Sequence, residues 1–142
     1  MRFFSPIAIP VSSHKDERGI IKFCNEIDLQ TIRRFYVISS SEGKEIRAWQ
    51  AHKTESKFIL PLSGVTKIVA VEILNFLQPK SGKIFEFILD SNKPELLIIP
   101  CGFANGIQLQ TQDSSVMVFS DLTLDESKND DFRYNKDLFY NW

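Results

Sequence analysis

The chain has 142 residues and a mass of 16.4 kDa, with 17 basic and 18 acidic residues and a formal charge of −1. At roughly 100–200 residues per domain this is a single domain over residues 1–142, and the balanced charge argues against a nucleic-acid or anionic-membrane binder, which carries a basic excess. No stretch approaches the ~18–20 apolar residues of a membrane-spanning helix, and any imidazole or metal chemistry must use His14 or His52, the only two histidines.

From the N-terminus, Met1–Pro10 is apolar but short and interrupted by Pro6 and Pro10, a poor signal peptide. His14 lies in a polar loop, Ser12–Asp16, and reads as solvated. Asn25–Thr31 is expected to form a short helix. Beyond it the apolar residues recur with a period near two. They give strands at Phe35–Ser40, Ile46–His52, Lys57–Leu62, Thr66–Ile73, Lys83–Leu89, Leu96–Ile99, Gly106–Leu109 and Val116–Asp121. Turn sequences such as Ser41-Glu42-Gly43, Ser63-Gly64 and Pro100-Cys101-Gly102 separate them. Eight short strands at such spacing predict an all-β barrel or jelly roll, a fold whose mouth commonly holds a small molecule.

A second short helix is expected over Asp125–Asp130. The tail from Phe132 to Trp142 is too aromatic to stay exposed, so it should cover the barrel or a subunit interface. Cys24 and Cys101 show no Cys-x-x-Cys spacing. They read as buried thiols in a reducing, cytoplasmic protein.

Two blocks concentrate polar groups within the strand pattern. The first is Arg47-Ala48-Trp49-Gln50-Ala51-His52-Lys53-Thr54-Glu55-Ser56-Lys57. In a regular strand Gln50 and His52 face the same way, and Arg47 joins them only if a bulge intervenes. Glu55 is placed to pair with a lysine or to polarise His52, and Trp49 reads as core or pocket wall. The second block is Ile99-Pro100-Cys101-Gly102-Phe103-Ala104-Asn105-Gly106, where a polar Asn105 interrupts an apolar strand.

Together these blocks resemble the cupin fold, a double-stranded β-helix jelly roll with one or two short helices. More narrowly, they resemble the dTDP-4-dehydrorhamnose 3,5-epimerases and dTDP-4-keto-6-deoxyhexose 3,4-ketoisomerases, the WxcM-like proteins. Asp16-Glu17-Arg18-Gly19 is similar to that family's Asp-x-Arg-Gly, and Arg33-Arg34-Phe35-Tyr36 to the ketoisomerases' Arg-x-Phe-Tyr strand. Arg47-Ala48-Trp49-Gln50-Ala51-His52 is similar to their Arg-Gly-x-His-Ala-His, with Gln50 in the place of the first histidine.

The resemblance implies proton transfer next to the keto group of a nucleotide sugar, in surface-polysaccharide precursor synthesis, by a homodimer with exchanged strands. It implies His52 as base, because imidazole titrates near neutral pH, and Tyr36 as acid. Arg18, Arg47 and Lys57 become partners for the diphosphate and keto oxygen, with Gln50 and Asn105 as further substrate contacts. Arg18 would act across the dimer. No cofactor is expected. Nor is a metal, since Gln50 and Asn105 replace imidazoles that metal-binding cupins carry and one imidazole is left. The same replacements also fit a retired enzyme that binds a nucleotide sugar, or another small ligand, without turning it over.

Overall fold

The computed structural model describes residues 2–142 and contains, in chain order, twelve strands and one helix. The first three strands are β1 (Ile7–Pro10), β2 (Ser12–Asp16) and β3 (Gly19–Phe23). The barrel then runs through β4 (Arg34–Ser39), β5 (Ile46–Ala51), β6 (Lys57–Ser63), β7 (Val65–Asn75) and β8 (Lys80–Asp90). It continues with β9 (Glu95–Ile99), β10 (Phe103–Leu109), β11 (Ser115–Ser120), α1 (Leu124–Lys128) and β12 (Phe132–Arg133).

The eight expected strands appear as β4 to β11, and the all-β jelly roll is confirmed. Two five-stranded antiparallel sheets form it, in the orders β1-β9-β6-β11-β4 and β12-β5-β10-β7-β8, with β2 and β3 as a separate hairpin. Alternation along each strand places one set of side chains between the sheets. Ile59, Leu97, Ile99, Val116 and Val118 from the first sheet meet Ile68, Ala70, Phe103, Ile107 and Leu109 from the second. These layers fill one end of the sandwich; polar side chains line the other.

Three expectations need correction. Asn25–Thr31 is irregular, with a turn at Gln30–Thr31, rather than a helix. Cys101 is exposed, at the β9–β10 turn, where Gly102 takes φ +92°; Cys24 is half-buried. The third concerns strand β5, which ends at Ala51, so the alternation that would align His52 with Gln50 stops one residue short.

The C-terminal tail covers the outer face of the second sheet. Phe132, Tyr134, Phe139, Tyr140 and Trp142 pack there around the buried Trp49. The Trp49 and Trp142 rings lie 5.3 Å apart. A Cβ on Gly106 would sit 2.6 Å from both indoles, so only glycine lets the tail lie flat on β10.

Helix α1 begins with a reciprocal cap: Thr123 Oγ1 accepts from the Glu126 amide, and the Glu126 carboxylate accepts from the Thr123 amide over 2.8 Å. The cap sets α1 at the barrel mouth, with Leu124, Ser127 and Lys128 on the cavity wall.

Candidate active site

The polar end of the sandwich opens into a cavity of about 630 Å³, a size typical of small-molecule sites. The inward positions of β4 supply Arg34, Tyr36 and Ile38, because Phe35 and Val37 take the outward ones. Strand β6 supplies Lys57. On the facing sheet, the register of β5 against β10 shifts between Asn105 and Ile107. That irregularity lets both Arg47 and Gln50 line the cavity, as a bulge would.

Gln50 is flanked in register by Asn105 of β10 and Arg133 of β12. The three form a polar row across three strands, with Asn105 Nδ2 donating to the Gln50 carbonyl over 3.1 Å.

The cavity wall carries Arg34, Arg47, Lys57, Lys128 and Arg133 against one carboxylate, Asp131. A near-neutral chain thus concentrates positive charge in one chamber, which suits a dianionic ligand.

Beneath the floor lies a buried carboxylate. Glu55 Oε1 is 2.8 Å from Lys57 Nζ and 3.1 Å from an Arg34 guanidinium nitrogen. It also accepts from the Ser120 hydroxyl, while Oε2 accepts from Ser127 over 2.8 Å. Burial penalises this carboxylate, yet the Lys57 ammonium and the Ser120 hydroxyl outweigh that and hold its pKa below the usual range. Lys57 also donates to the Tyr36 phenol over 3.2 Å. The Arg34 guanidinium stands over the Tyr36 ring at 5.3 Å.

Of the residues singled out by sequence, Tyr36, Arg47, Gln50, Lys57 and Asn105 line this one cavity. His52 and Arg18 do not. His52 is 1% exposed and sits behind the wall. Its Nδ1 is 2.5 Å from the Asp130 carbonyl and 3.1 Å from Glu55 Oε2. A carbonyl only accepts, so Nδ1 bears the hydrogen and Nε2 is left as a buried lone pair without a partner. Burial lowers the imidazole pKa and keeps the ring neutral.

Arg18 projects from the β2–β3 hairpin, 79% exposed, and pairs with Asp16 at 2.6 Å. His14 lies on the same hairpin, in strand β2 where a polar loop was expected, and is exposed as its solvated reading required. Sequence reasoning missed Arg34, Lys128, Asp131 and Arg133 as cavity residues. For Arg34 the available signal was its place two residues before Tyr36, and for Asp131 and Arg133 it was their own alternation.

His52, Glu55 and Asp130 bring one ligand atom each within 4.8 Å of one another. This trio does not suit a cation. The Asp130 carboxylate already accepts from the amides of Lys53, Thr54 and Glu55 and from the Thr54 hydroxyl. Glu55 is neutralised by Lys57 and Arg34, and His52 Nδ1 is engaged. Binding a metal would break most of these bonds.

Comparison with solved structures shows the same fold at low sequence identity. The RmlC epimerase of Mycobacterium tuberculosis superposes with a TM-score of 0.71 at 18% identity, covering 87% of this chain and 66% of the epimerase. This chain therefore spans about two thirds of that relative's length. A 3,4-ketoisomerase from Helicobacter canadensis matches over 93% of this chain and 92% of its own, with 19% identity and a TM-score of 0.70.

A variant of the 3,4-ketoisomerase QdtA from Thermoanaerobacterium thermosaccharolyticum, in complex with TDP-4-keto-6-deoxyglucose, matches over 94% and 90%. Its identity is 20% and its TM-score 0.69. No curated protein sequence gave a significant match. The family model described as FdtA: WxcM-like, C-terminal, matches residues 7–141. With nearly its whole length matched, and a polar chamber where a jelly roll keeps its ligand, the chain belongs to the FdtA, WxcM-like C-terminal family.

Proposed function

We propose that the protein is a metal-independent nucleotide-sugar isomerase or epimerase. It acts next to the keto group of a dTDP-4-keto-6-deoxyhexose, in surface-polysaccharide precursor synthesis. One observation carries the reading: five cationic side chains and the Tyr36–Lys57 pair converge on a single cavity of about 630 Å³. Cations such as Arg47 bind the diphosphate, since guanidinium pairs with phosphate oxygens bidentately. Lys57 and Tyr36 meet the keto oxygen, where negative charge develops as the adjacent carbon loses its proton. Gln50 and Asn105 hydrogen-bond the sugar or base. The TDP-4-keto-6-deoxyglucose held by the QdtA variant supports this substrate class.

The working form in this reading is a homodimer. Phe35, Val37, Ile20 and Ile21 are all more than 40% exposed on the first sheet's outer face and the β2–β3 hairpin. A second copy covers them and brings Arg18 toward its partner's cavity. The free thiols of Cys24 and Cys101 fit a reducing, cytoplasmic setting. Among the described residues no helix is long and apolar enough to cross a membrane.

Incubation with dTDP-4-keto-6-deoxyglucose in deuterated water, followed by NMR, tests the activity. Deuterium at a ring carbon adjacent to the carbonyl is the expected result. A second reading, a binder without turnover, is favoured by Gln50 at the first histidine position and by the burial of His52. Calorimetric binding of the dTDP-sugar with no deuterium uptake selects it.

A further inference from the structure

Removing a proton next to a ketone requires a lone pair that reaches the cavity. Few wall residues offer one. Arginines do not deprotonate, the Lys57 ammonium is committed to Glu55, and the His52 lone pair is sealed behind the wall. One anionic side chain remains.

We propose that Asp131 is the catalytic base of this cavity and that Gln50 is the positioning residue that aims it. The proposal rests on the nucleotide-sugar reading above and names the group that moves the proton.

The placement follows from β12. Arg133 pairs in register with Gln50, and Asp131 stands two residues before Arg133, so all three side chains project to the same face. Gln50 Nε2 donates to Asp131 Oδ1 over 3.1 Å. Arg133 Nε contacts Oδ1 at 3.2 Å and Oδ2 at 3.0 Å. A carboxylate has about four acceptor sites, and these three contacts leave one free, on a side chain that is 30% exposed and lines the cavity.

Two neighbours set its state. Burial disfavours the anion, but the Arg133 and Gln50 hydrogen bonds outweigh it and hold the pKa below the usual aspartate range. Asp131 is therefore ionised at neutral pH. An aspartate is a sufficient base when strong donors hold the enolate oxygen, and Tyr36 with Lys57 supplies those donors from the facing sheet.

Gln50 also acquires a reason. An amide at that position donates to the carboxylate without competing for the proton, which an imidazole would.

The proton balance closes without a co-reactant. Asp131 takes the proton from the hydroxyl-bearing carbon beside the ketone, while the keto oxygen takes the Tyr36 proton; an enediol results. The enediol's other hydroxyl returns its proton to the Tyr36 phenolate as Asp131 delivers its own to the former carbonyl carbon. The carbonyl has moved by one position, and both side chains end as they began.

The test measures deuterium exchange and turnover of dTDP-4-keto-6-deoxyglucose by wild type, Asp131→Asn, Asp131→Glu and Gln50→Ala, with dTDP affinity as the control. Asp131→Asn is expected to lower kcat by about 100-fold or more, with KM and dTDP affinity within about threefold. Asp131→Glu keeps a carboxylate and is expected to retain at least about a tenth of kcat. Gln50→Ala is expected to move the acidic limb of the kcat–pH profile upward, because the carboxylate loses a donor.

Asp131→Asn with kcat within threefold of wild type, or equal loss in the Asn and Glu variants, overturns the assignment while leaving the isomerase reading intact. Wild type that binds dTDP but exchanges no deuterium overturns both.

Discussion

The Lys57 ammonium donates to the Tyr36 phenol over 3.2 Å, although their strands are not neighbours. Strand β11 runs between β6 and β4, and at its end Ser120 pairs in register with both Lys57 and Arg34. Two strand spacings separate the outer pair by roughly 9–10 Å. Ser120 is small enough for the Glu55 carboxylate to fill that gap and bridge the two cations. The buried anion thereby fixes the direction in which Lys57 meets Tyr36.

Tyr36→Phe removes the phenol oxygen and nothing else from this arrangement. The variant should fold normally and bind dTDP as wild type does, while kcat for the keto sugar drops about 10²–10⁴-fold. Steady-state kinetics beside calorimetry checks it. Unchanged kcat removes Tyr36 from the chemistry.

Glu55→Gln leaves Lys57 and Arg34 facing each other without their shared anion. Breaking a buried ion pair from one side costs about 3–5 kcal/mol, so the urea midpoint should fall accordingly. Ser127→Ala deletes a neutral hydroxyl that donates to the same carboxylate and accepts from Arg34, and should cost about 1–3 kcal/mol. Equal losses in the two variants would contradict the charge-bridging role of Glu55.

Acid should destabilise the fold in two stages. His52 and Glu55 both have folded-state pKa values below those of the unfolded chain. In each window the unfolded chain binds a proton that the folded one refuses, so stability falls as pH drops. The His52 contribution is complete above the unfolded histidine value of about 6.5 and declines below it; that of Glu55 declines lower, through the carboxylate range. Denaturation of wild type and His52→Gln at about pH 7.5 and 5.5 isolates the first stage. The wild-type midpoint should drop more than the variant's, and identical drops would count against a buried neutral imidazole.

Phe35→Lys places a charge on the outer face of β4, at a side chain 64% exposed in the single chain. If a second copy covers this face, light scattering should show the variant near the 16.4 kDa of one chain and wild type near twice that. Wild type already monomeric would remove the dimer.

Strands that bury one side announced themselves in sequence, which is why β4 to β11 and five cavity residues were legible. The β2–β3 hairpin is exposed along nearly all of its length, so it has no buried face to imprint a pattern. Asn105 and Gly106 break the apolar run of β10 and concealed its first three residues. Strand β12 is two residues long and held by the backbone of its neighbour, beyond the reach of any periodicity. His52 was misplaced for a related reason: alternation extrapolated past Ala51 assumes an extended chain where the chain has already turned. Asp131 and Arg133 were hidden among aromatic residues whose packing role was plain, and only the fold brings them to Gln50.

Strand β12 follows every other strand in chain order, and with its two flanking residues it contributes Asp131, Arg133 and Tyr134 to the cavity wall. A nascent chain halted before it would already have both sheets and their shared core, but the chamber would stand open on one side. Binding competence is thus acquired last, together with the cover over Trp49 on the outer face of the second sheet. Loss of the segment beyond α1 would open the pocket and uncover that face together, while the core between the two sheets keeps all of its residues.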